Sequence, residues 1–508
     1  MKKFWTTCFI LILCQSFLFS KDYNILDFGA ISDGGKSLST AAIQLAIDEA
    51  HKDGGGRVII PEGNFLSGSI ILKSGVELHL HKKATLLGSL NPDDYIKLNR
   101  WIGFVMADSA DNISISGKGT IDGQGQLLAL HIDSLFYAGK IDSKDYVSKE
   151  KRPKVTIRPQ IIEFVNCKHI TITDVTIRDA ASWVQTYYLC KHLIIDKIRV
   201  ESDAYWNNDG VDIIDCKNVR ITNSYINASD DGICLKSYRA PNYKVLKARP
   251  MCDSIYIANC TIRSSASAIK FGTASYGGFK NITIEKIKVF DTFRSVIALE
   301  SYMGGRLENV LIQDIKAVNT GNAIFIRAGK HRVTKETGVI RNVVIRNMKV
   351  QIAFDRPDSD YEIRGPALPF FHNIFPSSIA GTPGNAIQNV LLENIEITYP
   401  GKGNKAFAYA PLHRIGDIPE KEGDYPEFSM FGELPSWGFY VRHVDGLTMN
   451  NVKVKIKKPD YRPAFVLDDV RNASLQSIQV VGDNKPESIF LHQTENVNIL
   501  KKVKPLLD

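Results

Sequence analysis

One short phrase recurs through most of this chain and limits its possible folds more than any other feature. A small or polar residue, often Asn, is followed by alternating apolar positions. It reads His169-Ile-Thr-Ile-Thr-Asp-Val-Thr-Ile177, His192-Leu-Ile-Ile-Asp-Lys-Ile-Arg-Val200, Asn218-Val-Arg-Ile-Thr-Asn-Ser-Tyr-Ile226 and Asn281-Ile-Thr-Ile-Glu-Lys-Ile-Lys-Val289, with shorter echoes from Asn112 to Asn496. Where no insertion intervenes, the interval is 23 to 28 residues. Each unit holds two or three short period-two strands rich in Ile and Val. A period of this size means a solenoid or a propeller, and a propeller blade needs four strands and about 40 residues. The Leu-x-x-Leu-x-Leu phrase of leucine-rich repeats is absent. The fold class expected is therefore all-β: a right-handed parallel β-helix formed by one chain, its Asn and Cys positions stacked as internal ladders. A solenoid grows along one axis, which lets 508 residues form a single domain.

The chain opens Met1-Lys-Lys, runs apolar over residues 4–19 and reaches Ser20-Lys21-Asp22. This pattern predicts a secretory signal, residues 1–20, and a secreted or periplasmic mature domain, 21–508. The run is too short for a confident membrane span, and no other segment is apolar enough for one. Leu13, bulky and directly before Cys14, argues against a lipidated Cys14. Residues 21–90 read as an N-terminal cap and first coils. Within them, 40–51 carry apolar residues at helical spacing and stop at Gly54-Gly-Gly56. Residues 125–158, 355–385 and 403–438 break the rhythm and read as loops leaving the coil. The 403–438 insertion is rich in aromatics and prolines, so it is expected to pack against the coils and border a cleft.

Past the signal there are sixty-one basic and fifty-five acidic side chains, a net of +6. This fits an anionic partner, but the chain has no dense basic run of the kind nucleic acid requires. Six cysteines remain: Cys167, Cys190, Cys216, Cys234, Cys252 and Cys260. None shows Cys-x-x-Cys spacing. The first three hold one place in successive repeats, which favours a ladder of small buried side chains over disulfides. No metal, no cofactor and a monomer are expected.

The chemistry concentrates in Trp206-Asn-Asn-Asp-Gly-Val-Asp-Ile-Ile-Asp215 and Asn227-Ala-Ser-Asp-Asp-Gly-Ile-Cys-Leu-Lys-Ser237. Asp209 and Asp230 are 21 residues apart, about one repeat. Stacking of coils would set Asp209 beside Asp230 and Asp231. Asp-Asp-Gly is also a turn sequence. Three repeat-matched carboxylates, however, mark a site better than a turn does. Crowded carboxylates repel, so one keeps its proton while others ionise. An acid beside a base is what cleavage of a glycosidic bond requires.

These motifs resemble family 28 of the glycoside hydrolases, the polygalacturonase-like enzymes of the pectin-lyase-like β-helix class. The resemblance runs from Asp27-Phe-Gly-Ala30 to about residue 480, and is sharpest at Asn207–Gly210 followed by Asp230–Gly232. It implies a single inverting displacement, with Asp230 as general acid and Asp209 and Asp231 holding and deprotonating the water. Inversion implies carboxyls roughly 6.5–9.5 Å apart. Two departures stand out. The histidine of the family's Gly-His-Gly falls at Ser267. Its Arg-Ile-Lys, which binds the galacturonate carboxylate, is replaced by Ala298-Leu-Glu300. Glu300 there would repel a uronate, so plain polygalacturonan is not the expected substrate. Glu300 could instead accept hydrogen bonds from a neutral sugar. Lys236, Lys270 and Arg327 offer replacement cations on successive coils. Asn207 belongs to the same sugar-binding set, and Trp206 and Tyr302 are stacking candidates. The expected partner is an acidic or branched polysaccharide or oligosaccharide, such as a rhamnogalacturonan-type pectin. Two alternatives remain: a lyase with calcium held by Asp209, Asp230 and Asp231, and a non-catalytic carbohydrate-binding β-helix.

Overall fold

The computed structural model describes residues 21–238, 249–354, 371–483 and 487–500. The expected signal (1–20, with Cys8 and Cys14) and residues 355–370 of the middle insertion lie outside the described residues. The chain winds as a parallel β-helix. Each strand pairs with its counterpart one coil before and one coil after, as Ile170↔Leu193↔Val219↔Ile255↔Ile282↔Val310↔Val343↔Val390↔Leu447. All of these side chains are buried in one continuous core. Their neighbours one residue along face outward, so a slip of one residue would exchange the two sets and is strongly disfavoured. Burying each aliphatic side chain contributes about 1.5–3 kcal/mol as an upper figure.

Coils turn where one residue adopts the left-handed conformation. Asn112, His169, His192, Asn218, Asn281, Asn309, Asn342 and Asn389 have φ between 49° and 57°. Asn tolerates this region better than other side chains with a Cβ. Its carboxamide then bonds the coil before: Asn309 donates to Asn281 at 3.2 Å and Asn342 to Asn309 at 3.1 Å. These side chains are exposed. The Asn ladder expected inside the coil therefore runs along its outer corner, because the corner residue points away from the core. The cysteine ladder is internal. All six thiols are free and buried, and Cys252 continues the row of Cys167, Cys190 and Cys216.

Helix α1 (Thr40–Lys52) lays Ile43, Ala46, Ile47 and Ala50 over the first coils. It ends where Gly54 and Gly55, at φ +92° and +129°, return their amides to His51 and Ala50. Residues 125–158 were expected to be loop, but they begin with a second helix, α2 (Gly125–Tyr137), that buries Leu128, Ala129 and Ile132. At Gly125 a Cβ would fall 1.9 Å from the Ala180 carbonyl carbon, so only glycine fits. The 355–385 span is not wholly loop either. Ser377–Ala380 rejoins the sheet between the 325–327 and 439–442 strands. Residues 403–438 lie on the outer face of that same sheet. Ile415, Ile418, Phe428, Phe431 and Leu434 form an apolar cluster there with Phe325 and Tyr440.

Candidate active site

The outward row of this sheet reads Glu163↔Thr186↔Asp212↔Cys234↔Lys270↔Ala298. The turn entering each strand carries the acids. Gly210 N–H donates to Asp231 O at 2.9 Å, and Gly232 N–H donates to Ser267 O at 2.9 Å. Asp209 and Asp231 are therefore neighbours on stacked coils, with Asp230 one residue aside. Oxygens of the three carboxylates lie within 4.8 Å of one another. This is closer than the 6.5–9.5 Å expected, because parallel coils stack at about 4.8 Å.

Their surroundings differ. Asp230 lines an open cavity of about 850 Å³, together with Trp206, Asn207, Arg294, Tyr425 and Glu427. Asp209 and Asp231 are each only 4% exposed. Lys236 Nζ sits 2.7 Å from Asp209 Oδ2 and also contacts Asp212. Lys270 Nζ sits 3.3 Å from Asp231 Oδ2 and 4.0 Å from Glu300 Oε1. The backbone N–H of Ser267, at the missing histidine's place, donates to Asp231 Oδ1 at 3.0 Å.

Protonation follows from these contacts. Burial and the adjacent Asp231 charge raise the Asp230 carboxyl above its usual range. Burial also acts on Asp231, but Lys270 and Arg294 outweigh it and leave that carboxyl below its usual range. Burial raises Asp209 well above it, against the pull of Lys236 and reinforced by Asp212. Burial raises Asp212 to about 6, again against Lys236. One ammonium thus serves two carboxylates, whose titrations are linked. Burial works against the charges of Lys236 and Lys270. The carboxylates beside them prevail, so both stay protonated well above the usual lysine range.

Several sugar-binding expectations need correction. Arg327 does not reach the cavity. It is 1% exposed, donates to the carbonyls of Ala380, Gly381 and Glu420, and packs on Phe431. It ties the 403–438 insertion to the coil. Glu300 is also 1% exposed. It takes a 3.1 Å hydrogen bond from Thr273 Oγ1, and burial pushes it up to about 8, against Lys270. It is buried and turned toward Lys270, so it does not present its carboxyl to a sugar in the cavity. Lys236 and Lys270 lie buried beneath the aspartates rather than along a solvated face. Tyr302 packs beside His331, with centroids 6.3 Å apart, and does not line the cavity. Trp206 and Asn207 do line it. Asn207 Oδ1 accepts from Arg158 Nη2 at 2.8 Å and from Arg152.

Sequence reasoning missed Arg152 and Arg294, and it expected the 403–438 insertion to border a cleft without singling out Tyr425 and Glu427 as the residues that line it. Arg294 binds Glu427 at 2.7 Å, and Lys270 donates to Tyr425 OH at 3.3 Å. Counting repeats could have found Arg294, which follows Asp230 and Ala266 at the same turn position. Nothing in the repeat announces Tyr425 or Glu427, which come from the insertion.

The chain is therefore a parallel β-helix with a carboxylate cluster of which Asp230 reaches an open cavity. Residues 53–252 match the model of the glycosyl hydrolases family 28. The chain is 25% identical to a probable polygalacturonase of Vitis vinifera over 422 residues, 75% of each chain. It is 25% identical to an endo-polygalacturonase of Pectobacterium parmentieri over 388 residues, 71% of this chain and 85% of that one. Its fold is similar to the exopolygalacturonase of Thermotoga maritima, at TM-score 0.58 and 23% identity over 75% of this chain and 87% of that one. It is also similar to the Yersinia enterocolitica family 28 exopolygalacturonase, at TM-score 0.58 and 18% identity over 96% and 79%. The chain is thus similar to glycoside hydrolase family 28 over residues 53–252, and it is a glycoside hydrolase. Among the described residues, no helix is long and apolar enough to cross a membrane.

Proposed function

We propose that this protein hydrolyses the glycosidic bonds of an acidic, pectin-like polysaccharide, with Asp230 as the proton donor and Asp231 as the base. The observation that carries this is the split between two adjacent carboxyls. Asp230 faces the cavity with its carboxyl raised above the usual range by burial and by the Asp231 charge, whereas Asp231, beside Lys270, lies below that range. Asp230 protonates the leaving oxygen, and Asp231 takes the proton of the attacking water. Asp209, buried beside Lys236 and raised well above its usual range by burial, orients that water rather than deprotonating it. Lys149, Arg152 and Arg294 line the same cavity, the two arginines paired with Glu150 and Glu427, and offer donors to an acidic sugar. Trp206 offers a stacking face and Asn207 a polar edge.

The relatives named as polygalacturonases support a uronate polymer. The reason for setting plain polygalacturonan aside no longer holds, because Glu300 is turned away. The insertion that brings Tyr425 and Glu427 over the cavity favours action near a chain end. The basic and apolar N-terminus supports secretion or a periplasmic location. A lyase is disfavoured because Lys236 and Lys270 hold their protons and cannot serve as bases. Lys236 and Lys270 also already pair with Asp209 and Asp231, two of the three carboxylates that a calcium ion would draw on.

The test is a panel of polygalacturonan, rhamnogalacturonan and a neutral galactan, each with and without chelator. New reducing ends from an acidic member, without ultraviolet absorbance and indifferent to chelator, support the proposal. Chelator-sensitive absorbance from unsaturated products would overturn it.

A further inference from the structure

The outer face of a second sheet carries a like-charged row that the catalytic cavity does not use. Lys288, Lys316 and Lys349 are direct partners on three successive coils, and all three are exposed. Like charges directly opposite on adjacent strands are destabilising. A chain selected for stability alone would alternate their signs. Lys349 reaches Glu396 at 3.5 Å, but among the described residues Lys286, Lys288 and Lys316 have no ion-pair partner. These three lysines surround a hollow of about 400 Å³ whose other lining includes Asn259, Thr261 and Asp314. Asp314 is its single acid, and it already accepts a 3.0 Å hydrogen bond from Asn347. The strand that carries Lys288 leads on to Phe293 and Arg294 at the cavity rim. Six residues at ~3.3 Å each put that rim within about 20 Å of the lysine row.

We infer that Lys286, Lys288 and Lys316 form a second, non-catalytic site that holds a distant stretch of the same anionic polysaccharide chain whose end occupies the cavity. The inference rests on the acidic-substrate reading above. Carboxylates spaced along a uronan meet ammonium groups spaced along the coils, and the unpaired charges are then neutralised by ligand. A site of this kind raises the local concentration of polymer without touching the chemistry, so short oligosaccharides do not feel it.

The test uses the full protein and the double variant Lys288→Glu/Lys316→Glu, with circular dichroism confirming that it folds. Electrophoresis through gels containing polygalacturonate should retard the wild-type protein more than the variant, and gels containing dextran should not separate the two. In low salt the variant's kcat/KM on long polygalacturonate should fall about tenfold, while that on a galacturonate trimer is unchanged. The difference should fade toward 1 M salt, where screening lengths shrink to about 3 Å. Equal retardation of the two proteins would overturn the inference, as would equal loss on trimer and polymer. If neither protein cleaves any uronan, the hydrolase proposal fails and retardation alone decides the second site.

Discussion

Lys270→Met removes the charge that keeps Asp231 ionised, and its effect can be worked from the structure. The ammonium is 3.3 Å from Asp231 Oδ2 and almost wholly buried. At an effective dielectric of about 20, a unit pair at this distance interacts with about 5 kcal/mol. That is an upper bound on the change in the Asp231 proton affinity, and measured shifts from one opposite charge are about 1–3 units. The direction is fixed. Asp231 lies below its usual range while Lys270 is present, so losing the ammonium raises it. The base is then protonated at higher pH, and the acid limb of the kcat/KM profile moves up by about 1–3 units. Removing one partner of a buried pair also costs stability, about 3–5 kcal/mol. A melting curve must therefore accompany the profile. Lys270→Arg, which keeps the charge, should restore most of the acid limb. A folded Lys270→Met protein with the wild-type acid limb would refute the assignment of Asp231 as the base under Lys270 control.

Asp230→Asn keeps the shape of the side chain but cannot give a proton, so kcat should fall about 10²–10⁴-fold with KM little changed. Steady-state kinetics on the cleaved polymer reads this. Arg327→Leu should lower the melting temperature and expose the 403–438 insertion to protease while leaving the oligosaccharide KM nearly unchanged, because its guanidinium serves carbonyls rather than substrate. Glu163, raised by burial to about 7, destabilises the fold as pH rises from about 4.5 to 7, since only the unfolded chain ionises freely in that window. Glu163→Gln should flatten that part of the stability–pH curve by up to about 3 kcal/mol. The six thiols from Cys167 to Cys260 should resist a thiol reagent until the protein is denatured.

The coil was legible because its signal is local and repeated. Alternating apolar residues such as Leu193, Ile195, Val219 and Ile221 state which side faces in, and the interval states which residues stack. The same arithmetic brought Asp209 beside Asp231, 22 residues later, across one coil spacing. What covers the outward face was not legible. A period says that Lys236, Lys270, Glu300 and Arg327 point out of the coil, and from there they looked like groove residues. Whether Lys270 and Arg327 meet solvent or protein depends on Tyr425, Phe431 and the Glu420 carbonyl, which lie 93 to 155 residues further on and carry no repeat. Helix α2 was hidden for a similar reason, since Gly and charge around residues 123–126 and 139–151 masked a single apolar stripe. The Asn ladder was placed on the wrong side because the pattern marks a turn residue without saying which way its side chain leaves the turn.

The central claim is that water, activated by Asp231, attacks a bond whose leaving oxygen Asp230 protonates. The most direct measurement is cleavage of a polygalacturonate oligosaccharide in ¹⁸O-labelled water, with the products followed by mass spectrometry and by proton resonance of the new anomer. The account requires one ¹⁸O at the anomeric carbon of each new reducing end. The proposed single displacement requires that anomer to appear first in the inverted configuration. Products without label, carrying a double bond instead, would contradict the claim outright. Labelled products of retained configuration would keep the hydrolase and remove the water from Asp231.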